Sequence, residues 1–352
     1  MAGTQISAEG WLTFDASPYV IAEIGVNHNG DLDLAKRCID SAIACGADAV
    51  KFQMFKADEE VSDKTLVYAY ERDGIRHEEN MLEMLSNLEI PTDWPAILDE
   101  YAKERGVDFL SSVADADSVR RLAALSPKAI KVASCDLTYA DLLLEIAATE
   151  IPVILSTGMA SIDEVQEAIA LLRENGCPGI VLLHCVSIYP TPDSAANLQR
   201  IRSLSEKFGC SVGYSDHTLG IEACVAATAL GAPVLEKHFT IDRSLSGPDQ
   251  ELSSDPEELT ALIGSVRRVT KQIGNGSASH NNPENESRAN YRRSIVARGP
   301  IRAGSIIEQD MIAFRRPGTG LPPNQQHLVI GRSTRVDLVA NEPITADKLR
   351  GS

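Results

Sequence analysis

The stretch that decides the fold is residues 19–46, "YVIAEIGVNHNGDLDLAKRCIDSAIACG". It opens on a seven-residue apolar, β-branched run and turns through an Asn- and Gly-containing link. It then repeats its apolar residues at helical spacing before stopping on Gly46. That is a strand followed by an amphipathic helix closed by a left-handed cap. No GxGxxG follows the strand, so the dinucleotide-binding reading of a strand–helix unit has no support here.

The same unit recurs along the chain. Candidate strands are "YVIAEIG" (19–25), "AVKFQ" (49–53), "VDFLSS" (107–112), "AIKVAS" (129–134), "PVILST" (152–157), "IVLLHC" (180–185), "SVGYS" (211–215) and "APVLEKHF" (232–239). Helical text lies between them, with a capping box written as Ser161 and Glu164 and a cap proposed at Asp93 ahead of Pro95. Near-continuous apolar strands alternating with helices predict a parallel sheet closed as an α/β (β/α)8 TIM barrel over residues 1–275. Residues 276–291 are polar and rich in Asn and Ser, which predicts a linker. Residues 292–352 predict a small β-rich domain, with "SIVARGPI" and "HLVIGRSTRV" as its β-like segments.

Bulk composition narrows the function. The chain has 352 residues, 43% hydrophobic and 24% charged, and a formal net charge of −17. Such a charge argues against nonspecific nucleic-acid or anionic-membrane binding. Seven cysteines without CxxC spacing predict free thiols in a reducing cytoplasm. The N-terminal text predicts no secretory signal, and no apolar run reaches the ~18 residues of a membrane span.

In a barrel, reactive groups gather at the C-terminal ends of the strands. Those ends read Glu23 with "NHNG" (27–30), then Lys51 and Gln53, then Ser111 and Ser112. Lys131, Ser134 and Asp136 follow, then Ser156 and Thr157, then His184, Ser187 and Tyr189. The last two strands end on Ser215 and His217, and on Glu236, Lys237 and His238. Lys51 and Lys131 sit inside apolar strands, where an unpaired charge is expensive. Either they form buried salt bridges with Glu23 or Asp136, or, with Ser134, Ser156 and Ser215, they form an anion site. His217 and His238 come from adjacent strands roughly 5 Å apart. They read equally as hydrogen-bonded structural imidazoles or as two ligands of one Zn-, Mn-, Fe- or Co-type ion.

The segments "YVIAEIGVNHNG", "ADAVKFQ", "LSTGMAS", "LLHCVSIYPTP", "GYSDHTLG", "EKHFTIDRSLSGPD" and "RRPGTGLPP" together resemble the sialic acid synthase family, in order and over about residues 18–350. The resemblance implies condensation of phosphoenolpyruvate with N-acetylmannosamine to N-acetylneuraminate and phosphate. It implies a barrel followed by an antifreeze-like (SAF) domain, in a domain-swapped homodimer. It further implies that His217 and His238 hold a divalent metal, usually Mn²⁺ with Mg²⁺ or Co²⁺ as alternatives. Lys51, Ser112, Lys131, Ser134, Ser156, Ser187 and Ser215 match groups around phosphoenolpyruvate. Glu23, Gln53, Asp136, Tyr189 and Asp249 match groups that hold the sugar or its attacking water. Arg316 matches a residue that the SAF domain offers to another subunit's site. Glu23, Lys51, Lys131, His217 and His238 are the expected catalytic set. Asp136 stands where many relatives have Glu, and Gln250 departs from the usual "GPDH". The same chemistry on a 2,4-diacetamido-2,4,6-trideoxyhexose (legionaminate or pseudaminate as product) or on a 6-phosphosugar is the alternative. From another class, so is a non-catalytic carbohydrate-binding protein.

Overall fold

The computed structural model describes residues 17–72, 75–274 and 283–350. The chain divides into two units, Met1–Gly274 and Asn275–Ser352. In the first, eight strands close a parallel barrel. They are β1 (Tyr19–Gly25), β2 (Ala49–Met54), β5 (Asp108–Val113), β6 (Ile130–Val132), β7 (Val153–Ser156), β8 (Ile180–Cys185), β9 (Ser211–Asp216) and β10 (Val234–His238). All eight predicted strands are present, with ends moved by one or two residues. β3 (Val67–Arg72) and β4 (Ile75–Asn80) form an antiparallel hairpin in the connection after β2. No strand was expected there. The signal was Asp73–Gly74 between two alternating runs, the dipeptide typical of a tight hairpin; those two residues lie outside the described ones.

Of the caps read from the sequence, those at Gly46 and Ser161 form and the one at Asp93 does not. Asp31 accepts from the N–H groups of Asp33 and Leu34 at the start of helix Leu32–Cys45, and Gly46 (φ 91°) closes it. Ser161 and Glu164 complete the capping box of helix Ile162–Glu174. Asp93, expected to cap helix Trp94–Glu104, makes no side-chain cap bond, because its backbone is already helical (φ −88°, ψ −18°).

Alternation along the strands separates two cores. Outward residues such as Val20, Ile24, Val50, Phe52, Phe109, Leu155 and Leu235 pack beneath the helices in the main cluster. Inward residues Ile21, Ala49, Leu110, Ala129, Ile154, Val181, Leu183 and Val234 fill the lower barrel. β9 contributes Gly213 to that layer, since a Cβ there would lie 2.4 Å from the Val234 carbonyl oxygen. Each large side chain buried here stabilises the barrel by about 1.5–3 kcal/mol.

In the second unit β11 (Ser294–Ala297) and β12 (Ile312–Arg315) pair antiparallel over a core of Ile295, Ile301, Ile307, Ile312, Val329, Leu338 and Ile344. "SIVARGPI" thus supplies a strand. "HLVIGRSTRV" does not: it begins inside a 3-10 turn (Pro323–Leu328) and then makes only single bridges, at Ser333 and Thr334. Part of the stretch read as linker lies outside the described residues, and its end forms helix Asn285–Tyr291.

Candidate active site

Two residues above the apolar layer, the same alternation turns polar side chains into the barrel. β1 offers Glu23, β2 Lys51, β5 Ser112, β6 Lys131, β7 Ser156, β8 Cys185, β9 Ser215 and β10 Glu236, all buried. The ladder brings them together. Glu23 pairs across with Lys51 on one side and His238 on the other, Ser112 with Lys131, and Ser215 with both Cys185 and Glu236.

Glu236, which the sequence places at a strand end without assigning it a role, stands at the centre of this set. Its Oε1 lies 3.8 Å from Lys51 Nζ and 4.0 Å from Lys131 Nζ, and accepts from Ser215 Oγ at 3.1 Å. The signal was available: it stands two residues before inward-facing His238, and strand alternation puts both on one face. Lys51 Nζ also lies 2.7 Å from Glu23 Oε2, and Gln53 Nε2 donates to Glu23 Oε1 at 2.8 Å. Of the two carboxylates offered as salt-bridge partners, Glu23 pairs with Lys51 and Asp136 forms no ion pair with either lysine. Lys131 meets Glu236 and donates to the Val132 carbonyl at 2.9 Å, whereas Asp136 is half-buried beside Cys135.

Two ammonium groups and two carboxylates in a water-poor interior perturb one another. Burial pushes Glu23 above the usual carboxylate range, with Glu236 adding to the effect and Lys51 opposing it. Burial works the same way on Glu236, but Lys131, Lys51 and the two histidines outweigh it and hold it below that range. Burial also works against charge on Lys51; Glu23 and Glu236 outweigh it and keep the ammonium favoured. Lys131 lacks that second partner, so burial lowers its proton affinity.

Small polar groups gather past the ends of β6, β7 and β8. Ser134 Oγ accepts from the Gly158 N–H at 3.0 Å and lies 3.0 Å from Cys185 Sγ. A Cβ on Gly158 would stand 2.4 Å from Ser187 Oγ, 2.7 Å from Cys185 Sγ and 2.8 Å from Ser134 Oγ. Glycine at 158 is thus what lets three small polar groups close on one point.

His217 and His238 stand side by side, ring centroids 5.5 Å apart. His217 Nδ1 is 2.8 Å from the Val186 carbonyl, which can only accept, so Nδ1 carries the proton and Nε2 keeps its lone pair. His238 Nδ1 has no hydrogen-bond partner and lies 3.4 Å from Asp249 Oδ2. Burial lowers both proton affinities, His238 to about 4, so the rings are neutral near pH 7. Two neutral imidazoles with an orphaned ring nitrogen suit a divalent ion bound by few protein ligands. Among the described residues no third His, Cys, Asp or Glu joins them as a metal-holding group. The ring of Tyr189 lies 4.1 Å from that of His217 and 6.1 Å from that of His238. Tyr68, on the hairpin, is a further neighbour that the sequence reading missed; burial and the charge of Asp249 push its phenol up to about 12.

Several strand-end polar residues face away from this set. Ser111 Oγ donates to the carbonyls of Phe52 and Ser112, Thr157 Oγ1 to that of Leu183, and His184 Nε2 is 2.8 Å from the Ala196 carbonyl. In "NHNG", Asn27 donates to the Phe239 carbonyl and Ser253 Oγ, and His28 packs between Phe52 and Trp94. Gln250 is buried, donates to the Asn27 carbonyl at 3.1 Å and accepts from Thr240 Oγ1, so it ties the loop carrying Asp249 to the loop after β1. Arg316 belongs to the second unit, its guanidinium carbon 5.8 Å from the Tyr291 ring centroid.

Residues 38–278 match the NeuB family and residues 292–350 match the SAF domain. Two proteins named N,N'-diacetyllegionaminic acid synthase are similar over most of their length. That of Campylobacter jejuni is 40% identical over 315 residues, covering 89% of this chain and 94% of the relative. That of Legionella pneumophila is 39% identical over 326 residues, covering 92% of each. The crystal structure of an N-acetylneuraminic acid (sialic acid) synthetase from Leptospira borgpetersenii, solved with citrate, has a TM-score of 0.70 at 33% identity, over 77% of this chain and 90% of that one.

Proposed function

This chain belongs to the NeuB family, and on that premise we propose that it joins phosphoenolpyruvate to the open-chain aldehyde of N-acetylmannosamine, giving N-acetylneuraminate and inorganic phosphate. The observation that carries the reading is the polar layer: Lys51 and Lys131 face one interior, with Ser112, Ser134, Ser156, Ser187 and Ser215 around them and two neutral histidines beside them. Two cations and a ring of hydroxyls suit a small, doubly anionic substrate whose phosphate must be held before and after it leaves.

The chemistry follows from that placement. C3 of the enol attacks the aldehyde carbon and forms the C–C bond, and C2 becomes electron-poor. A water adds to C2 and gives up a proton. The C2–O bond to phosphate then breaks, phosphate leaves with the electron pair and the ketone remains, the water's two protons ending on the former aldehyde oxygen and on phosphate. Glu23, held by Lys51 and Gln53 and raised in proton affinity by burial, is the group suited to orient that water and take its proton. Lys51, Lys131 and the serines stabilise the phosphate charge throughout. Gln53, Asp136, Tyr189 and Asp249 hold the sugar, and Arg316 would be offered by the SAF domain of one subunit to the site of another. His217 and His238 would hold a divalent ion, Mn²⁺ by the family's habit; such an ion, when bound, supplies Lewis-acid polarisation of a carbonyl oxygen.

A second sugar has its own support. Because two relatives are named N,N'-diacetyllegionaminic acid synthase, a 2,4-diacetamido-2,4,6-trideoxyhexose belongs beside N-acetylmannosamine as an acceptor to test. The test is phosphate release from phosphoenolpyruvate with a panel of amino sugars, with and without Mn²⁺. N-acetylmannosamine-dependent release is expected, and its absence with every sugar would return the chain to a carbohydrate-binding role. His217→Ala is expected to abolish metal-dependent turnover with near-UV circular dichroism unchanged. Full retained activity in that variant would remove the metal from the reading.

A further inference from the structure

Each histidine of the pair is directly preceded by a charge: Asp216 before His217, Lys237 before His238. Alternation turns these two charges to the back of the sheet, where they meet. Lys237 Nζ donates to Asp216 Oδ2 at 2.8 Å and to the Thr218 carbonyl at 2.7 Å, and both residues are buried. Asp216 Oδ1 accepts from Tyr214 OH at 3.1 Å, from the Thr218 N–H at 2.8 Å and from Thr218 Oγ1 at 2.7 Å. Cys224 Sγ lies 3.3 Å from Asp216 Oδ2.

The position of this pair in the ladder gives it leverage. Asp216 and Lys237 are register partners, and theirs is the last rung between β9 and β10. Past that rung the two strand ends share no backbone pairing, yet the histidines stand there. His217 is tied separately, its ring to the Val186 carbonyl and its own carbonyl to the Thr191 N–H at 2.8 Å. The His238 carbonyl accepts from the Ser254 N–H at 2.8 Å. Those ties run to other elements, as does the register pairing of His238 with Glu23 on β1. The ion pair that joins the two strand ends on their outer face, directly beside the histidines, is Asp216–Lys237. A buried ion pair adds little net stability over an apolar pair of the same volume, so its effect here is geometric.

We infer that Asp216 and Lys237 are positioning residues for the two-histidine site, clamping the ends of β9 and β10 from behind so that His217 and His238 converge on one ion. The inference rests on the reading of those histidines as metal ligands. Groups that hold a metal's ligands in place commonly change its affinity by about 10–100-fold when removed; Asp216 and Lys237 hydrogen-bond to neither imidazole and act through the strand backbone.

The test measures metal affinity itself. Mn²⁺ binding is followed by calorimetry and Co²⁺ binding by visible absorption, for the wild type, D216N/K237M and Y214F. The double variant removes both charges, so that neither is left buried alone. It is expected to bind Mn²⁺ about 10–100-fold more weakly and to recover turnover at saturating Mn²⁺, a pattern that a merely structural role would not produce. Y214F deletes one hydrogen bond to Asp216 and is expected to weaken Mn²⁺ by about 2–5-fold; it decides the matter if the double variant loses its near-UV circular dichroism. Affinities within about twofold of wild type in every folded variant would overturn the clamp alone. A wild type that binds neither ion, or that binds no more weakly after His217→Ala, would overturn the metal reading and the clamp with it.

Discussion

The barrel interior has two layers built by the same strands, one alternate residue apart. Going up the barrel, Ile21 is followed by Glu23 on β1, Ala49 by Lys51 on β2 and Leu110 by Ser112 on β5. Ile154 is followed by Ser156 on β7 and Val234 by Glu236 on β10. The backbone is continuous and the step is only about 6.6 Å, yet the energetics reverse. Below, each side chain stabilises by leaving water, and neighbours are interchangeable if they fill the space. Above, four charges are held out of water only because each has an opposite partner within 4.0 Å. The upper layer is tolerable because the lower one, together with the helix-covered outer core, supplies the stability.

That contrast can be broken at either layer. The largest effect is expected for Lys51→Met, which leaves Glu23 buried without its cation. Stability should fall by about 3–5 kcal/mol and kcat/KM by about 10²–10³-fold, read by denaturant unfolding and by phosphate release. Ile154→Ala, in the lower layer, should cost about 2–5 kcal/mol of stability while leaving kcat/KM within about threefold, since no reacting group changes partner. A similar loss of activity in both variants would erase the distinction between the layers.

The smallest effect tests the rim. Burial pushes Asp136 up to about 6 and Glu60 up to about 7, the charge of Asp136 adding to the effect on Glu60. A carboxyl whose folded proton affinity exceeds its unfolded one destabilises the fold once both states are ionised. Stability should therefore rise as pH falls from above 7 through these values toward the unfolded range. Asp136→Asn should flatten that rise, measured as melting temperature against pH. A slope equal to that of the wild type would show that Asp136 is not the group responsible.

Much of this was legible in the text. The barrel strands were, because apolar runs bounded by capped helices fix their own secondary structure. Lys51, Lys131, His217 and His238 were, because such residues stand out at the ends of apolar strands. The face each side chain takes needed more care. His184 and Lys237 read as site residues by position alone, but they fall on the outward phase of their strands, while Glu236 falls on the inward phase. Strand ends predicted to within one or two residues are not enough to fix phase, since a one-residue slip exchanges the faces. The hairpin β3–β4, with Tyr68 beside the charge of Asp249, falls outside the repeating strand–helix unit, and its strands are mostly exposed, so the periodicity that marks the barrel strands does not mark it.

The sequence by itself determined the repeating strand–helix unit, the change of character after residue 274 and the supply of charges and imidazoles at the strand ends, because these depend on local periodicity and residue type. Only the tertiary structure decided the partners: Glu236 between Lys51 and Lys131, Lys237 with Asp216, and three small polar groups around Gly158. Those pairings depend on barrel closure and register, which bring together residues as far apart as 23 and 238.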